Sequence, residues 1–212
     1  MREQPYNSKK TRKHKETLKC FESTIIGGEL KGKKILIPDL PTTRSSKSIL
    51  RESLFNTLQF DIIDKHFVEV FAGSGSVGLE ALSRGAAHGY FIEKNHTVYA
   101  LLKENISQLG VTQATAIRGD SFNEFPTIYR NLKQQGIKTY FYFDPPFSTR
   151  EGMEDIYDKT ITLIEMIEAE LCEKVIVEHM TAMVMPEIIG TLTRTKKKKF
   201  GKSTLSYYSH SQ

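Results

Sequence analysis

A chain of 212 residues with 39% hydrophobic side chains can bury one core of ordinary size, so a single domain is the expected count. Cys20 and Cys172 form neither a disulfide framework nor a metal-ligand spacing, and no apolar run is long enough to span a bilayer. With no apolar leader-like core near the N-terminus, a cytoplasmic protein with reduced thiols and no resident metal is expected. The net charge of +5 is modest but uneven, with Arg2, Lys9, Lys10, Arg12, Lys13, Lys15 and Lys19 facing only Glu3 and Glu16. Such clusters attract phosphates by counterion release.

Residues 1–22 read as a basic extension, either a phosphate-binding arm or a solubilising tail, ahead of a domain at 23–212. Residues 23–37 hold two β-like runs around Gly27-Gly28 and Lys31-Gly32-Lys33, which predicts a hairpin. Over 46–59, Ile49, Leu50, Leu54, Phe55 and Leu58 have helical spacing. Residues 23–60 then form an N-terminal part and 61–212 the core of the domain.

The strand predicted at 67–71 runs into a glycine loop and a helix at 77–84. Gly73, Gly75 and Gly78 let the backbone turn tightly and approach a ligand closely. The pattern matches the dinucleotide fingerprint, so a nicotinamide site is one reading. The next strand, 89–93, ends in Glu93, 20 residues beyond Gly73 and at the distance of a ribose-binding acid. A helix at 97–109, a strand at 115–118 ending near Asp120 and Ser121, and a helix at 122–133 follow. Each acid taken alone is more often a solvated loop carboxylate; it is their recurrence at successive strand ends that points to a ligand.

The apolar strand 139–143 leads into Asp144-Pro145-Pro146-Phe147. A carboxylate at the carboxyl end of a buried strand sits where open α/β sheets hold ligands. The two prolines fix φ and remove two backbone donors, so their carbonyls can point into a pocket. Phe147 offers a ring on which a base can stack. An amphipathic segment at 151–171, a strand at 174–178 and two β-like runs at 188–195 and 203–209 close the chain. Arg194 and the lysines 196–199 form a second basic block. This alternation implies a mostly parallel sheet with helices on both faces. Of the histidines, His66, His88, His96 and His179 show no metal-ligand spacing, while His14 and His210 lie near the ends. Tyr207 and Tyr208 read as core anchors of a terminal strand more readily than as RNA-stacking rings.

Glu69-Val-Phe-Ala-Gly-Ser-Gly75 followed by Asp144-Pro-Pro-Phe147 resembles S-adenosylmethionine-dependent amino-methyltransferases. The stretch 71–87 resembles the RsmD family in particular, and 25–38, 51–56 and 202–208 extend the likeness over nearly everything after residue 22. The resemblance implies an α/β, Rossmann-like methyltransferase fold: a mostly parallel seven-stranded sheet, an antiparallel C-terminal edge hairpin and an N-terminal β-hairpin. It implies methylation of the N2 amine of a guanine in bacterial 16S ribosomal RNA, with naked RNA or a 30S assembly intermediate as partner and the protein acting as a monomer. By the same resemblance S-adenosylmethionine is held by Glu69, Phe71, Ala72, Gly73, Gly75 and Gly78, by Glu93 and Lys94 at the ribose, and by Asp120 and Ser121 at the adenine. Asp144, Pro145, Pro146 and Phe147 carry catalysis, and Lys31, Lys33, Arg44, Lys47 and Arg51 meet RNA. The extension at 1–22 departs from the family, and 41–47 follows its Arg-Pro-Thr-Thr-Asp-Arg pattern only loosely. DNA adenine-N6 or protein-glutamine methylation, and a non-catalytic ribosome-assembly factor, stay open as alternatives. A nicotinamide oxidoreductase would leave Asp144 to Phe147 without a role.

Overall fold

The computed structural model describes residues 18–39, 44–147, 152 and 155–210, and the side chains of Arg44, Ser45 and Ser46 lie outside that description. Most of the basic extension, residues 1–17, therefore falls outside the described residues. Strands β1 (Cys20–Thr24) and β2 (Lys34–Pro38) form the expected antiparallel hairpin. Its first strand starts earlier than predicted, because Cys20, Phe21 and Glu22 pair with Pro38, Ile37 and Leu36.

Helix α1 (Arg44–Leu58) buries Leu50, Leu54, Phe55 and Leu58, whereas Ile49, expected on the same stripe, is 57% exposed. Then come β3 (His66–Glu69), α2 (Ser76–Ser83), β4 (His88–Glu93), α3 (His96–Leu109), β5 (Ala114–Arg118), α4 (Ser121–Gln135) and β6 (Thr139–Phe143). Asn95 caps α3 by accepting from the amides of Thr97 and Val98, and left-handed Gly110 ends it. Asp120 and Gly136 do the same for α4.

Helix α5 (Ile156–Glu165) is shorter than the amphipathic segment predicted for it. The apolar period is real, since Ile167 and Leu171 are buried. The backbone nevertheless tightens after Glu165: Met166 and Ile167 donate three residues back, to Leu163 and Ile164, and the chain turns into β7 (Cys172–Met180). β8 (Ile188–Ile189), β9 (Leu192–Phe200) and β10 (Ser203–His210) complete the chain. β9 runs straight through the lysine block, beyond its predicted end.

The large sheet has the order β5-β4-β3-β6-β7-β10-β9-β8. β3 to β7 are parallel, and β10, β9 and β8 are antiparallel. The predicted seven strands are all present, and the two-residue β8 adds an eighth at the edge. Chain order reverses at β3, which lies between β4 and β6. That reversal opens a crevice at the carboxyl ends of the strands, the usual ligand position in such sheets.

Both faces are covered, which explains the unbroken apolar run of β6. Tyr140 and Tyr142 enter the core shared with Phe55, Phe67, Phe91 and Ile176. Phe141 and Phe143 enter the opposite core with Phe125, Val68 and Val177. Tyr207 and Tyr208 are core residues, as expected. Among the described residues, no helix is long and apolar enough to cross a membrane.

Candidate active site

The loop after β3 turns on Gly73 (φ 54°) and on left-handed Gly75, which precedes α2. A Cβ on Gly73 would meet nothing within 4 Å, so this side of the loop faces open space. Gly78 has a different role: a Cβ there would lie 2.4 Å from the Phe91 ring and 3.0 Å from Glu69 Oε2. Only glycine lets α2 pack this closely on the sheet.

Glu69, at the end of β3, accepts from the amides of Gly78 at 2.8 Å and Val77 at 3.3 Å. Two amides at the start of α2 are thus taken by a side chain of the protein itself. Glu69 is 2% exposed, and burial pushes its carboxyl up to about 8 against the pull of those two amides. Ala72 is buried, and Phe71 packs edge-to-face on Phe122 at 5.7 Å.

Glu93, at the end of β4, accepts from Gly73 N at 2.9 Å and Asn95 N at 2.6 Å, which ties it to the glycine loop. Burial raises its carboxyl and the amide donors oppose the shift. Asp120 caps α4 through Phe122 N at 3.0 Å and pairs with Lys94 at 2.7 Å; the Lys94 hydrogen bond is the main cause of its lowered pKa. Ser121 donates its hydroxyl to the carbonyl of Val70, turning it toward the sheet.

Asp144 lies just past β6 with its side chain 24% exposed, and Lys47 of α1 stands 3.4 Å from it. That carboxylate is the first cause of the raised pKa of Lys47. Pro145 is buried, and Pro146 and Phe147 are half-buried. Lys31 and Lys33 are exposed, as phosphate-binding residues must be.

Arg51 lines the cleft but is 4% exposed, and its guanidinium donates to Thr24 O at 2.7 Å, tying the hairpin to α1. Burial lowers its pKa. Charge alone could not reveal this, because an arginine on a surface and one in a clamp look the same in sequence.

Glu178 on β7 was missed. It is 3% exposed, accepts from the Tyr142 hydroxyl at 2.6 Å, and is pushed up to about 7 by burial and then by Asp144. The signal was available: Val175-Ile-Val-Glu178 is another apolar run ending in an acid, like those before Glu93 and Asp144. Phe122 was also missed as a cleft residue.

One cleft of about 1850 Å³ joins Glu69, Gly73, Glu93, Asp120, Asp144, Phe147 and Glu178. It exceeds the roughly 300–1,000 Å³ usual for one small ligand, leaving room for two.

A doubly wound sheet finished by an antiparallel pair, with a glycine loop and a rigid Asp-Pro-Pro-Phe turn on neighbouring strand ends, is a Rossmann-like methyltransferase fold. The chain belongs to the family described as Conserved hypothetical protein 95, whose model matches residues 23–209. It is similar to Ribosomal RNA small subunit methyltransferase D of Escherichia coli strain K12, 37% identical over 142 residues that make up 66% of this chain and 66% of that protein. The match thus spans just under two thirds of that relative's length. YlbH of Bacillus subtilis, named as an rRNA methyltransferase, is 28% identical over 188 residues, 87% of this chain and 97% of that protein. The solved structure of yhhF from E. coli, described as a methyltransferase, matches at 30% identity with a TM-score of 0.70, covering 91% of this chain and all of that one. The resemblance read from the sequence therefore holds at the level of family and fold.

Proposed function

We propose that the protein methylates the exocyclic N2 amine of a guanine in small-subunit ribosomal RNA, using S-adenosylmethionine. The observation that carries this reading is the single cleft onto which both the glycine loop and the Asp144–Phe147 turn open. The names of its relatives supply the RNA and the class of reaction.

The residues present suit the methyl donor. Space lies open over Gly73, and a buried acid at Glu69 has only partial compensation for its charge. Glu69 would meet the amino group of the methionine part, directly or through water. Glu93 would take the ribose diol, with Asp120 and the Phe71–Phe122 pair at the adenine. Bound there, the donor supplies an electrophilic methyl group on a sulfonium centre.

Asp144 and the Pro145 carbonyl would accept hydrogen bonds from the guanine amine. Two acceptors on one amino group turn its lone pair out of conjugation with the ring and toward the methyl. Orientation of this kind contributes up to ~7–11 kcal/mol in favourable cases. Phe147 would stack on the base, and a paired guanine would first be extruded. Lys31 and Lys33 would meet phosphates nearby, with Arg44 as a further candidate.

The test is incubation with labelled methyl donor and separate pools of ribosomal RNA, 30S particles, DNA and ribosomal protein. Label recovered as N2-methylguanine supports the reading. Label on adenine or glutamine replaces it with another amino-methyltransferase, and donor binding with no transfer to any pool makes the protein an assembly factor. In the same assay Asp144→Ala is expected to lower transfer at least 100-fold while donor affinity stays within about twofold; undiminished turnover removes Asp144 from its assigned role.

A further inference from the structure

Two carboxyl groups follow the last paired residues of the neighbouring strands β6 and β7. β6 and β7 run parallel with Phe143 opposite Val177, so the next residue on each strand, Asp144 and Glu178, stand side by side. Both line the cleft. Their surroundings differ. Asp144 is partly exposed and has a cation, Lys47, 3.4 Å away. Glu178 is 3% exposed, and it accepts a hydrogen bond from a neutral hydroxyl, that of Tyr142. Other groups around Glu178 are Lys47 on α1, whose charge favours the anion less than burial and Asp144 oppose it, Ser203 on β10 and Tyr157 on α5. Farther along the same face, Glu69 on β3 acts on Tyr142, with Arg51 on α1 beyond it.

Methyl transfer to an amine creates a proton that must go somewhere. The nitrogen lone pair forms the new N–C bond, and the C–S bond breaks with its electrons left on sulfur. The nitrogen is then cationic until an N–H bond breaks, its electron pair returns to nitrogen, and the proton leaves. Giving that proton to Asp144 would cancel its ion pair with Lys47. Giving it to Glu178 would instead relieve a buried negative charge that burial and Asp144 already disfavour. Neighbouring carboxyls whose environments hold different protonation states divide acid–base work between them.

We propose that Glu178 takes up the proton released from the methylated amine, leaving Asp144 to orient that amine. The proton then passes to solvent through the cleft. The inference rests on the amino-methyltransferase reading given above.

Single-turnover transfer to ribosomal RNA, followed from pH 5.5 to 8.5 for wild type, Glu178→Gln and Tyr142→Phe, tests it. The wild-type rate should rise with pH to a plateau, with a midpoint near the Glu178 value of about 7. Glu178→Gln keeps an acceptor for Tyr142 but cannot hold the proton; its plateau should fall at least tenfold and the midpoint vanish. Tyr142→Phe removes a hydrogen bond that lowers the Glu178 value, so its midpoint should move upward. Thermal unfolding of the free protein gives a readout independent of turnover. A carboxyl raised above its unfolded value of ~4.3 favours the fold at low pH and loses that contribution as pH climbs through the folded value. The melting temperature of Glu178→Gln should therefore gain on wild type as pH rises from ~4.3 to about 7, and no further above that. Wild-type rate and midpoint retained in Glu178→Gln overturn the inference while guanine labelling stands. If Glu178→Gln does not fold, an unmoved midpoint in Tyr142→Phe overturns it, and an upward shift supports it. A wild-type protein that labels no amine at all sinks the function and this inference with it.

Discussion

Glu69 shows how one side chain can serve fold and ligand together. It replaces a local cap for α2, since Gly75 has no side chain to offer, and it does so from the end of β3. The same carboxyl is held up to about 8, so near neutral pH it carries its proton most of the time. A cationic amino group arriving beside it would stabilise the anion and expel that proton. Donor binding measured by calorimetry at pH 7.5 in buffers of different ionisation enthalpy should therefore show net proton release, and Glu69→Gln should abolish it. Equal heats in all buffers would place the amino group elsewhere. At this scale the sequence was partly legible. Glu93 and Asp144 could be read because motifs flag them, whereas Glu178 lies within β7 with no motif beside it. The burial of Arg51 was not legible, because its partners, Ser23 and Thr24 on β1 and Ser76 and Glu80 on α2, are brought in from elsewhere in the chain.

The N-terminal hairpin depends on α2 for its attachment. Glu80 is fully buried and accepts from Ile26 N and Gly27 N, both at 2.8 Å, and from Arg84 at 2.7 Å. Ser83 adds a bond from Leu30 N at 3.0 Å. Removing one member of a buried charged network leaves the others uncompensated and costs about 3–5 kcal/mol. Glu80→Ala should lower stability by about that much in urea titrations, and Glu80→Gln, which keeps one acceptor, by less. A loss below about 1 kcal/mol in the alanine variant would mean that the hairpin is anchored by other contacts. Most elements were legible because each has its own period and stop signal; Gly110 and Gly136 end α3 and α4 where a glycine after an apolar repeat predicts an end. Two were not. α5 is cut short by the tightened turn into β7, and β9 continues through four lysines because β10 supplies its hydrogen bonds. Lys198 even turns back to α1, donating to Ser53 at 2.9 Å and Thr57 at 3.0 Å.

For the molecule as a whole, strand order matters more than any single residue. Because the sheet reverses at β3, the glycine loop and the Asp144 turn, 70 residues apart in sequence, open onto one cleft. Alternation of elements predicted the parallel sheet, and the family resemblance supplied an antiparallel edge hairpin, but the pairing of β10 between β7 and β9 follows from long-range hydrogen bonding and was not legible. Charge belongs to this scale too. Residues 1–17 contain six basic side chains and two acids. Deleting them should weaken RNA binding at low salt and flatten its dependence on salt concentration, since fewer counterions are released. Unchanged affinity at low salt would make the segment a solubilising tail. Stopping the deletion at residue 17 matters, because Cys20 to Glu22 are paired in β1.

The insertion of β10 between β7 and β9 also bears on how the protein is made. A polypeptide emerges from the ribosome N-terminus first, yet here β10 emerges after β9 and fills the slot inside it. Until it arrives, β7 has a bare flank, and Glu178 lacks Leu205 opposite it and Ser203 nearby. A nascent chain can therefore assemble the glycine loop early, but the acid-lined end of the cleft is finished only after β10 has emerged.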